Sequence, residues 1–369
     1  MMIKRKIIND PVYDGFLSID DPVILQVIEH PFFQRQRRIK QLGLTYLVYP
    51  GAMHTRFSHM LGALNLMKRA LDVLKLKGVE ITDEECRGAK LAILLHDLGH
   101  GPFSHTSERV LVDVPHEEIT LLMMKRINEE MHGELDLAIA IFSNTYHKHF
   151  LHQLVSSQLD MDRLDYLGRD SFFTGVSEGI VGTDRIISML NVHDDELVID
   201  EKGIYSVEKF IISRRLMYWQ VYMHKTVIAA DQLLLNILRR ARDLNVSPFT
   251  FHLSPFDLDR FAEVDDDDIM VAVKHWQHSD DEILSTLCKN MVNRRLPAIR
   301  FNTEPFPEPA PSYFEGTGKL ANRSYDFNDQ EIKVLYKDGR CLPISEASDQ
   351  LDRHFLEKQV TKYYYYHPK

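Results

Sequence analysis

An almost wholly apolar segment that ends in histidine and aspartate places the tightest constraint on the fold. Residues 89–98 read AKLAILLHDL, and glycines follow at positions 99 and 101. An apolar run of this length predicts a buried central helix, which the glycines end. Burying an imidazole and a carboxylate without partners would be costly, so the segment also predicts a polar partner such as a divalent metal. An ordinary polar helix end is the alternative.

Helical periodicity dominates the chain up to about residue 250, so we predict a mainly α fold. Beyond the central segment, helices are expected at about residues 117–130, 134–143, 153–168, 207–244 and 268–293. Turn residues between Ile7 and Leu17 predict a small N-terminal hairpin.

The composition changes after about residue 250, and this change suggests two units. A catalytic body is expected at residues 1–250 and a smaller α+β C-terminal lobe at residues 251–369. The proline-rich residues 304–311 indicate a loop, and the Asp-Gly pair at 338–339 predicts a hairpin. The four acids Asp265–Asp268 are interpreted as the N-cap and first turn of a helix rather than as a metal site.

Composition and charge exclude several classes of protein. The net charge of −10 argues against a protein that mainly coats nucleic acid, although the basic run Gln34–Lys40 could bind phosphate. No apolar run reaches the roughly 18 residues of a membrane-spanning helix. Because the N-terminal residues do not resemble a signal peptide, we expect a cytoplasmic protein whose three cysteines are free thiols. The tyrosine run Tyr363–Tyr366 has no role that the sequence identifies.

Other polar clusters favour a metal site over an ordinary helix end. Arg56 and His59 are three residues apart, so a cation and a potential ligand project from one helical face. Asp162 and Tyr166 share another face within the segment DMDRLDYLGRD. Imidazole and carboxylate ligands together suit Mn, Fe, Ni, Zn or Mg.

A stripe of cations and aromatic rings predicts a site for a phosphorylated ligand that carries a ring. Arg214, Tyr218, Tyr222 and Lys225 recur at helical spacing. Guanidinium groups bind phosphate oxygens, and aromatic rings interact with cations and flat ligands. A solvated basic face with packing tyrosines is the alternative.

The order of these motifs resembles the H…HD…D signature of the HD superfamily. The motifs around these residues resemble those of the deoxynucleoside-triphosphate triphosphohydrolases of the sterile-alpha-motif/HD-domain type. The resemblance extends from about residue 6 to residue 230, and a sterile-alpha-motif domain is not expected. The matching motifs are Gln41-Leu42-Gly43, Tyr49-Pro50-Gly51-Ala52, Arg56-Phe57-Ser58-His59, His96–His105 and Asp162–Asp170. The resemblance implies an HD-domain helical fold, a homo-oligomer (dimer or tetramer), and hydrolysis of dNTPs to deoxynucleoside and triphosphate.

The resemblance also implies roles for individual residues. The four metal ligands would be His59, His96, Asp97 and Asp162, which would hold one divalent transition metal (Fe, Mn, Ni or Zn) or Mg. His105 and His116 match catalytic histidines, and Glu108 matches an orienting acid that is usually Asp in the family. If a second metal binds, the implied extra ligands are His100 and His116.

Substrate contacts follow from the same motif positions. Arg163 stands where the family usually has Lys, and a close-packed tyrosine at position 222 disfavours a 2′-hydroxyl. The implied substrate-binding residues are Gln41, Leu42, Arg56, His100, Arg163, Tyr166, Asp170, Arg214 and Tyr222.

A second set of residues matches positions that hold activating nucleotides between subunits in some relatives. These residues are Lys6, Asn9, Gln34, Arg37, Arg185 and Lys225. Glu29 stands where the family has an Asp that contacts guanine. The alternative role for this set of residues is to form salt bridges at a dimer interface.

Two other functions remain open. One is a different HD-type nucleotidase or phosphodiesterase, and the other is a non-catalytic HD protein that senses nucleotides or binds nucleic acid. Nucleic acid is not indicated as a partner, and no membrane is expected.

Overall fold

The computed structural model describes residues 5–13, 15–112, 114–246, 257–323, 325–327 and 331–369 of the chain. Helices dominate it, and the strands form three small sheets, two of which use strands from beyond residue 290. The predicted fold class, mainly α with a smaller α+β part, is confirmed. Cys86, Cys288 and Cys341 are free, as predicted.

The described elements have the following bounds. The α-helices are α1 (Pro22–Glu29), α2 (Pro31–Arg35), α3 (Arg56–Leu76), α4 (Asp83–Leu95), α5 (His105–Leu111), α6 (His116–Glu130), α7 (Asp136–Phe142), α8 (His149–Gln153), α9 (Met161–Thr174), α10 (Thr183–Met189), α11 (Ile204–Met217), α12 (Lys225–Asp243), α13 (Leu258–Glu263), α14 (Asp266–Trp276), α15 (Glu282–Val292), α16 (Ile344–Ala347) and α17 (Arg353–Glu357). The strands are β1 (Lys6–Asn9), β2 (Phe16–Ile19), β3 (Leu190–His193), β4 (Glu196–Asp200), β5 (Ala298–Asn302), β6 (Gly316–Arg323), β7 (Lys333–Leu335), β8 (Cys341–Pro343) and β9 (Gln359–His367).

Helices α3, α4 and α9 form the centre of the molecule. Thr82 and Glu85 begin α4 with a reciprocal capping box, which satisfies two of the free N–H groups at its start. The residues from Leu91 to Leu95 are at most 1% exposed, so α4 is the buried helix that the sequence predicts. It packs against α3, and α3 packs against α9. The three helices therefore bring their polar ends together inside the core.

The first two sheets match predicted hairpins and also join distant parts of the chain. Strands β1 and β2 pair antiparallel, and so do β7 and β8 around Gly339, whose φ is +86°. In the second sheet the order is β3-β4-β7-β8, with β4 and β7 parallel. This sheet combines strands from either side of residue 250, and the proposed division into residues 1–250 and 251–369 stays a prediction.

The third sheet, ordered β5-β9-β6, gives the tyrosine run a structural role. Tyr364 and Tyr366 are buried and pair with Gly318 and Gly316 on the neighbouring strand. A Cβ atom on Gly318 would lie 2.2 Å from the Tyr364 ring, so glycine is required for the ring to cover the strand.

Three segments that the sequence predicted as single continuous helices are each divided in the structure. The segment at 153–168 is divided because Asp160 caps a new helix, α9, by accepting a hydrogen bond from the Arg163 N–H. The segment at 207–244 is interrupted by a π-helical turn at Tyr218–Tyr222, so Lys225 begins a different helix from Arg214. The segment at 268–293 is divided where Asp281 caps α15.

The remaining expectations for local structure agree with the fold. The helices predicted at 117–130 and 134–143 correspond to α6 and α7. Asp265 and Asp268 form a capping box at the start of α14, as interpreted from the sequence. In the part of the chain that the structure describes, no helix is long and apolar enough to cross a membrane.

Candidate active site

Three of the four predicted metal ligands, His59, His96 and Asp97, form one buried group, and Asp162 lies beside it with its side chain 27% exposed. His59 Nε2 lies 3.0 Å from Asp162 Oδ1 and 3.4 Å from His96 Nε2. His96 Nε2 lies 3.3 Å from Asp162 Oδ1, and Asp97 oxygens lie 3.5 Å from both imidazoles. Ligand atoms around one ion at bond lengths of about 2.0–2.2 Å are separated by about 3 Å to 3.6 Å. The arrangement therefore has the dimensions of a metal centre.

Hydrogen bonds on the far side of each imidazole fix which nitrogen faces this point. His59 Nδ1 lies 2.7 Å from Asp165 Oδ2, and His96 Nδ1 lies 2.7 Å from the Ile93 carbonyl oxygen. Both acceptors require a proton on Nδ1, so in the neutral imidazole the lone pair is on Nε2. Metal-binding histidines are oriented in this way by carboxylates and backbone carbonyls.

The charge of the cluster also suits a cation. Burial disfavours a charged imidazole, but hydrogen bonds to Asp162 and Asp165 raise the pKa of His59 to about 10. Despite its burial, Asp162 has a pKa well below the usual range because His96 and His59 lie beside it. The carboxylates thus attract positive charge, which a divalent ion would supply while both imidazoles stay neutral ligands. The donor set fits the implied metal.

Arg56 lies against the candidate metal ligands and is not exposed to solvent. Its side chain is buried, its Nη1 donates to Asp97 Oδ2, and its Nε donates to Ser104 Oγ at 2.9 Å. The guanidinium holds the pKa of the buried Asp97 well below its usual range, with His96 as a second cause. Arg56 therefore orients a candidate metal ligand, and its predicted contact with phosphate stays a prediction.

A second cluster is built around Glu108. Its carboxylate lies 2.7 Å from His100 Nδ1, 3.2 Å from His105 Nδ1 and 3.3 Å from His116 Nδ1. The His100 and His116 rings stack with centroids 3.8 Å apart. His100 Nε2 also lies 3.4 Å from Asp97 Oδ1, so the second cluster contacts the candidate metal ligands. All three predicted catalytic residues thus lie beside the candidate metal centre, and the geometry of the second cluster could also hold an ion.

The side chains around Glu108 differ in exposure and in charge. Burial and the nearby Arg56 lower the pKa of His100 to about 4, so this imidazole is neutral at pH 7. Hydrogen bonds from the histidines lower the pKa of Glu108 despite its partial burial. The side chain of His105 is 72% exposed, so it is the member of the cluster that solvent and ligands reach.

The loop between the two clusters has an unusual backbone that distant residues support. Phe103 and Ser104 have φ values of +55° and +53°, a left-handed conformation that costs energy in residues other than glycine. The Phe103 N–H donates to Asp266 Oδ1 at 2.6 Å, and Asp266 is fully buried. Gly99 lets α6 approach, because a Cβ there would lie 2.2 Å from the His116 carbonyl oxygen.

Aromatic residues and a buried carboxylate line another side of the site. Tyr222 donates to Asp170 Oδ2 at 2.8 Å, and His54 Nε2 lies 2.7 Å from Asp170 Oδ1. The rings of Tyr166 and Tyr222 meet edge to face with centroids 6.3 Å apart. Three predicted substrate residues are therefore adjacent, on α9 and on the π-helical turn. Such turns often occur at functional sites.

Several predicted substrate residues carry buried polar atoms with no hydrogen-bond partner among the described residues. These atoms are Gln41 Oε1, Arg163 Nη1 and Arg214 Nε. Arg163 and Arg214 both lie close enough to Tyr166 to affect its ionisation. Leu42 packs against the main core. Buried polar atoms without partners are rare in folded proteins, so a ligand could supply acceptors for the two guanidinium atoms and a donor for the amide oxygen.

The residues of the predicted regulatory site make contacts within the chain. Arg37 donates to Gln34 Oε1 at 2.9 Å, Lys6 lies 3.9 Å from Glu29, and Arg185 donates to the Lys202 carbonyl oxygen at 3.3 Å. Asn9 and Lys225 lie on other elements, at the ends of β1 and α12. The regulatory role of this set stays a prediction.

Three residues that support the site were not predicted from the sequence. Asp165 orients His59, and its position one turn after Asp162 was a signal that could have revealed it. His54 contacts Asp170, and Asp266 supports the Phe103 loop. No local pattern points to either residue, since both act across more than 100 positions of sequence.

Comparison with known proteins identifies the family. Residues 56–170 match the family model described as HD domain, and residues 181–302 match that described as HD associated region. The crystal structure of a phosphohydrolase from Bacteroides thetaiotaomicron is 47% identical, with a TM-score of 0.94, over 99% of this chain and 100% of that chain. The chain belongs to the HD-domain superfamily. All four candidate ligands of this HD-domain protein lie within the matched HD segment.

Other relatives extend the comparison. The uncharacterized protein YwfO of Bacillus subtilis is 34% identical to this HD-domain protein, over 99% of this chain and 93% of that protein. A deoxynucleoside triphosphate triphosphohydrolase SAMHD1 homolog of Dictyostelium discoideum is 33% identical over 60% of this chain and 46% of that protein. This HD-domain protein thus resembles one relative along nearly its whole length and a triphosphohydrolase homolog over 60% of its length.

Proposed function

We propose that this HD-domain protein is a metal-dependent phosphohydrolase that converts dNTPs to deoxynucleoside and triphosphate. The observation that carries the proposal is the pair of buried guanidinium atoms, Arg163 Nη1 and Arg214 Nε, that lack partners among the described residues. Both lie around Tyr166, close to the candidate ligand Asp162. Phosphate oxygens are the acceptors that such donors bind best.

The proposed metal ligands and the arginines would bind different groups, the first an ion and the second the phosphate chain of the substrate. His59, His96, Asp97 and Asp162 would hold one divalent ion, which supplies Lewis acidity and lowers the pKa of an attacking water. Arg163 and Arg214 would hold the phosphate chain and offset charge that develops on its oxygens. On this proposal, a phosphate held by the two arginines would lie next to the ion.

The cluster around Glu108 supports proton transfer. Because Glu108 accepts from His105 Nδ1, the free atom of that imidazole is Nε2. The His105 side chain is 72% exposed, so its Nε2 could give a proton to the oxygen that leaves with the deoxynucleoside. Glu108 orients this histidine by accepting a hydrogen bond from its Nδ1.

The preference for a deoxyribose rests on Tyr222. Its hydroxyl is fixed by Asp170 at 2.8 Å, and its ring packs against Tyr166, so the side chain has little freedom to move away from a sugar. Additional volume at the 2′ position would meet this ring. The name of the Dictyostelium relative supports the same substrate class.

The deciding experiment identifies the products. Purified protein is incubated with Mn²⁺ and each dNTP or rNTP, and products are separated by anion exchange and assigned by phosphorus NMR. We expect deoxynucleoside and intact triphosphate. Inorganic phosphate or a nucleoside monophosphate would instead support another HD-type nucleotidase or phosphodiesterase. Nucleotide binding that survives Asp97→Ala, with no turnover by the parent protein, would support a sensing role.

Assembly and regulation form a second part of the proposal. We propose a homo-oligomer, dimer or tetramer, and an activating-nucleotide site at Lys6, Asn9, Gln34, Arg37, Arg185 and Lys225. Light scattering with and without nucleotides tests both ideas, because binding between subunits should increase the assembled fraction.

A further inference from the structure

A buried series of hydrogen bonds joins the metal centre to the turn that follows β1. His59 Nδ1 contacts Asp165 Oδ2 at 2.7 Å, and Arg169 Nε donates to the same oxygen at 2.8 Å. Arg169 Nη2 donates to Asp10 Oδ2 at 2.6 Å, and Tyr13 donates to Asp165 Oδ1 at 2.6 Å. A candidate metal ligand is thus connected to residues about 50 positions earlier in the chain.

The interior of this series is fully shielded from water. The side chains of Asp165 and Arg169 are both 0% exposed. Arg169 lies between two carboxylates, because it also donates from Nη1 to Asp10 Oδ1 at 3.2 Å. A buried ion pair is stable only when its remaining donors and acceptors are satisfied, and removing one partner is strongly destabilising. Asp10 therefore completes the environment that allows Arg169 to hold Asp165.

The packing of α3 shows that this arrangement leaves no free space. A Cβ atom on Gly62 would lie 2.0 Å from Asp165 Oδ1 and 2.1 Å from Arg169 Nη2. Even alanine at position 62 would displace the pair. The helix that carries His59 is thus in direct contact with the ion pair that orients His59.

The carboxylate of Asp165 is held by four hydrogen bonds. Arg169 supplies two, His59 supplies one, and Tyr13 supplies one. An acceptor held in this way has little freedom to move, so it keeps the His59 proton on Nδ1 and directs Nε2 to the metal position.

We propose that Asp10 and Tyr13 are positioning residues of the metal centre, which act through Arg169 and Asp165 to orient His59. The inference rests on the proposed metal site but not on the proposed nucleotide substrate. The segment at residues 10–13 is therefore part of the metal centre's support, although it lies outside the segment that matches the HD-domain family.

The test measures metal affinity without any substrate. Metal-free parent, Asp10→Asn and Tyr13→Phe proteins are titrated with Mn²⁺, and free Mn²⁺ is followed by its EPR signal. We expect each substitution to raise the dissociation constant about 10-fold, the lower end of the effect of losing an orienting contact. The matched control is Asp21→Asn, which removes a carboxylate bonded to Arg87 in the same part of the chain.

The outcomes separate positioning from simple stabilisation. Lower melting temperatures with unchanged Mn²⁺ affinity in both variants would overturn the proposal, as would an equal loss of affinity in the Asp21→Asn control. Gly62→Ala is a further variant that removes no polar group and should weaken Mn²⁺ binding in the same way. If the parent binds Mn²⁺ but hydrolyses no nucleotide, the proposed function fails while the affinity ratios still decide this inference. A parent that binds no Mn²⁺ contradicts both.

Discussion

Glu108 Oε1 lies 2.7 Å from His100 Nδ1, and the same carboxylate contacts His105 and His116. One acid thus orients three imidazoles beside the candidate metal centre. Because Glu108 contacts none of the four proposed ligands except through His100, its substitution should separate proton transfer from metal binding.

We predict that Glu108→Gln lowers kcat for dNTP hydrolysis by about 100- to 10,000-fold, the range typical of lost acid–base catalysis. The neutral amide is a weaker acceptor for the imidazole N–H groups that Glu108 orients, whereas metal content should stay at the parent level. Glu108→Asp keeps the carboxylate and should retain more activity. Steady-state kinetics with metal analysis of each protein provides the measurement. Equal activity of the Gln variant and the parent would rule out the orienting role.

Tyr222 should determine discrimination between sugars. We predict that Tyr222→Ala raises the ratio of kcat/KM for a ribonucleotide to that for the matching deoxyribonucleotide roughly 10- to 100-fold, because space opens at the 2′ position. Tyr222→Phe keeps the ring and loses only the bond to Asp170, so it should keep the parent preference. Competition assays with paired substrates measure the ratio. A shift of equal size in both variants would assign discrimination to the hydroxyl instead.

Removal of metal should destabilise the fold. An ion that binds the folded state stabilises it by about 2.7 kcal/mol at 100 times its dissociation constant. We therefore predict that chelation lowers the melting temperature and that Mn²⁺ restores it. His59→Ala serves as the control, since its melting temperature should not respond to Mn²⁺. A melting temperature of the parent that is insensitive to both treatments would contradict the site.

Asp231 should make stability depend on pH. Burial raises the pKa of Asp231 to about 7, although a hydrogen bond from Thr106 at 2.9 Å opposes the shift. An unfolded aspartate has a pKa of about 3.9, so between about pH 4 and pH 7 only the folded state holds this proton. Its contribution to stability is present at low pH and is lost as pH rises through about 7.

We predict that Asp231→Asn removes this loss, so that its free energy of unfolding exceeds that of the parent increasingly from pH 5 to pH 8. Urea titrations across this range measure the difference. The same substitution at the exposed Asp184 provides the control. Parallel curves for parent and Asp231→Asn would show that the carboxyl group is already ionised at pH 5.

The sequence predicted the parts of the site that local patterns encode. His96 and Asp97 interrupt an apolar run, and Asp162 lies in a segment dense with acids, so their participation in a polar site followed from spacing and from resemblance. The buried α4, both hairpins and the capping role of Asp265 followed from equally local signals.

The remaining features depend on contacts between distant residues. Asp266 lies 163 positions from Phe103, and Tyr13 lies 152 positions from Asp165. No periodicity in the sequence relates such pairs. The break before Lys225 was missed for a different reason, since a π-helical turn keeps the apolar and aromatic pattern of an α-helix while changing its phase.

The bond from the Phe103 N–H to Asp266 has a consequence for biosynthesis. At about 5–20 residues per second, the ribosome needs about 8–30 s after making Phe103 before it makes the acceptor 163 positions later. During that interval the loop that carries His105 lacks its buried support. The nascent chain can therefore form α3 and α4 early, but it completes the loop before His105 only when synthesis is well past the HD segment.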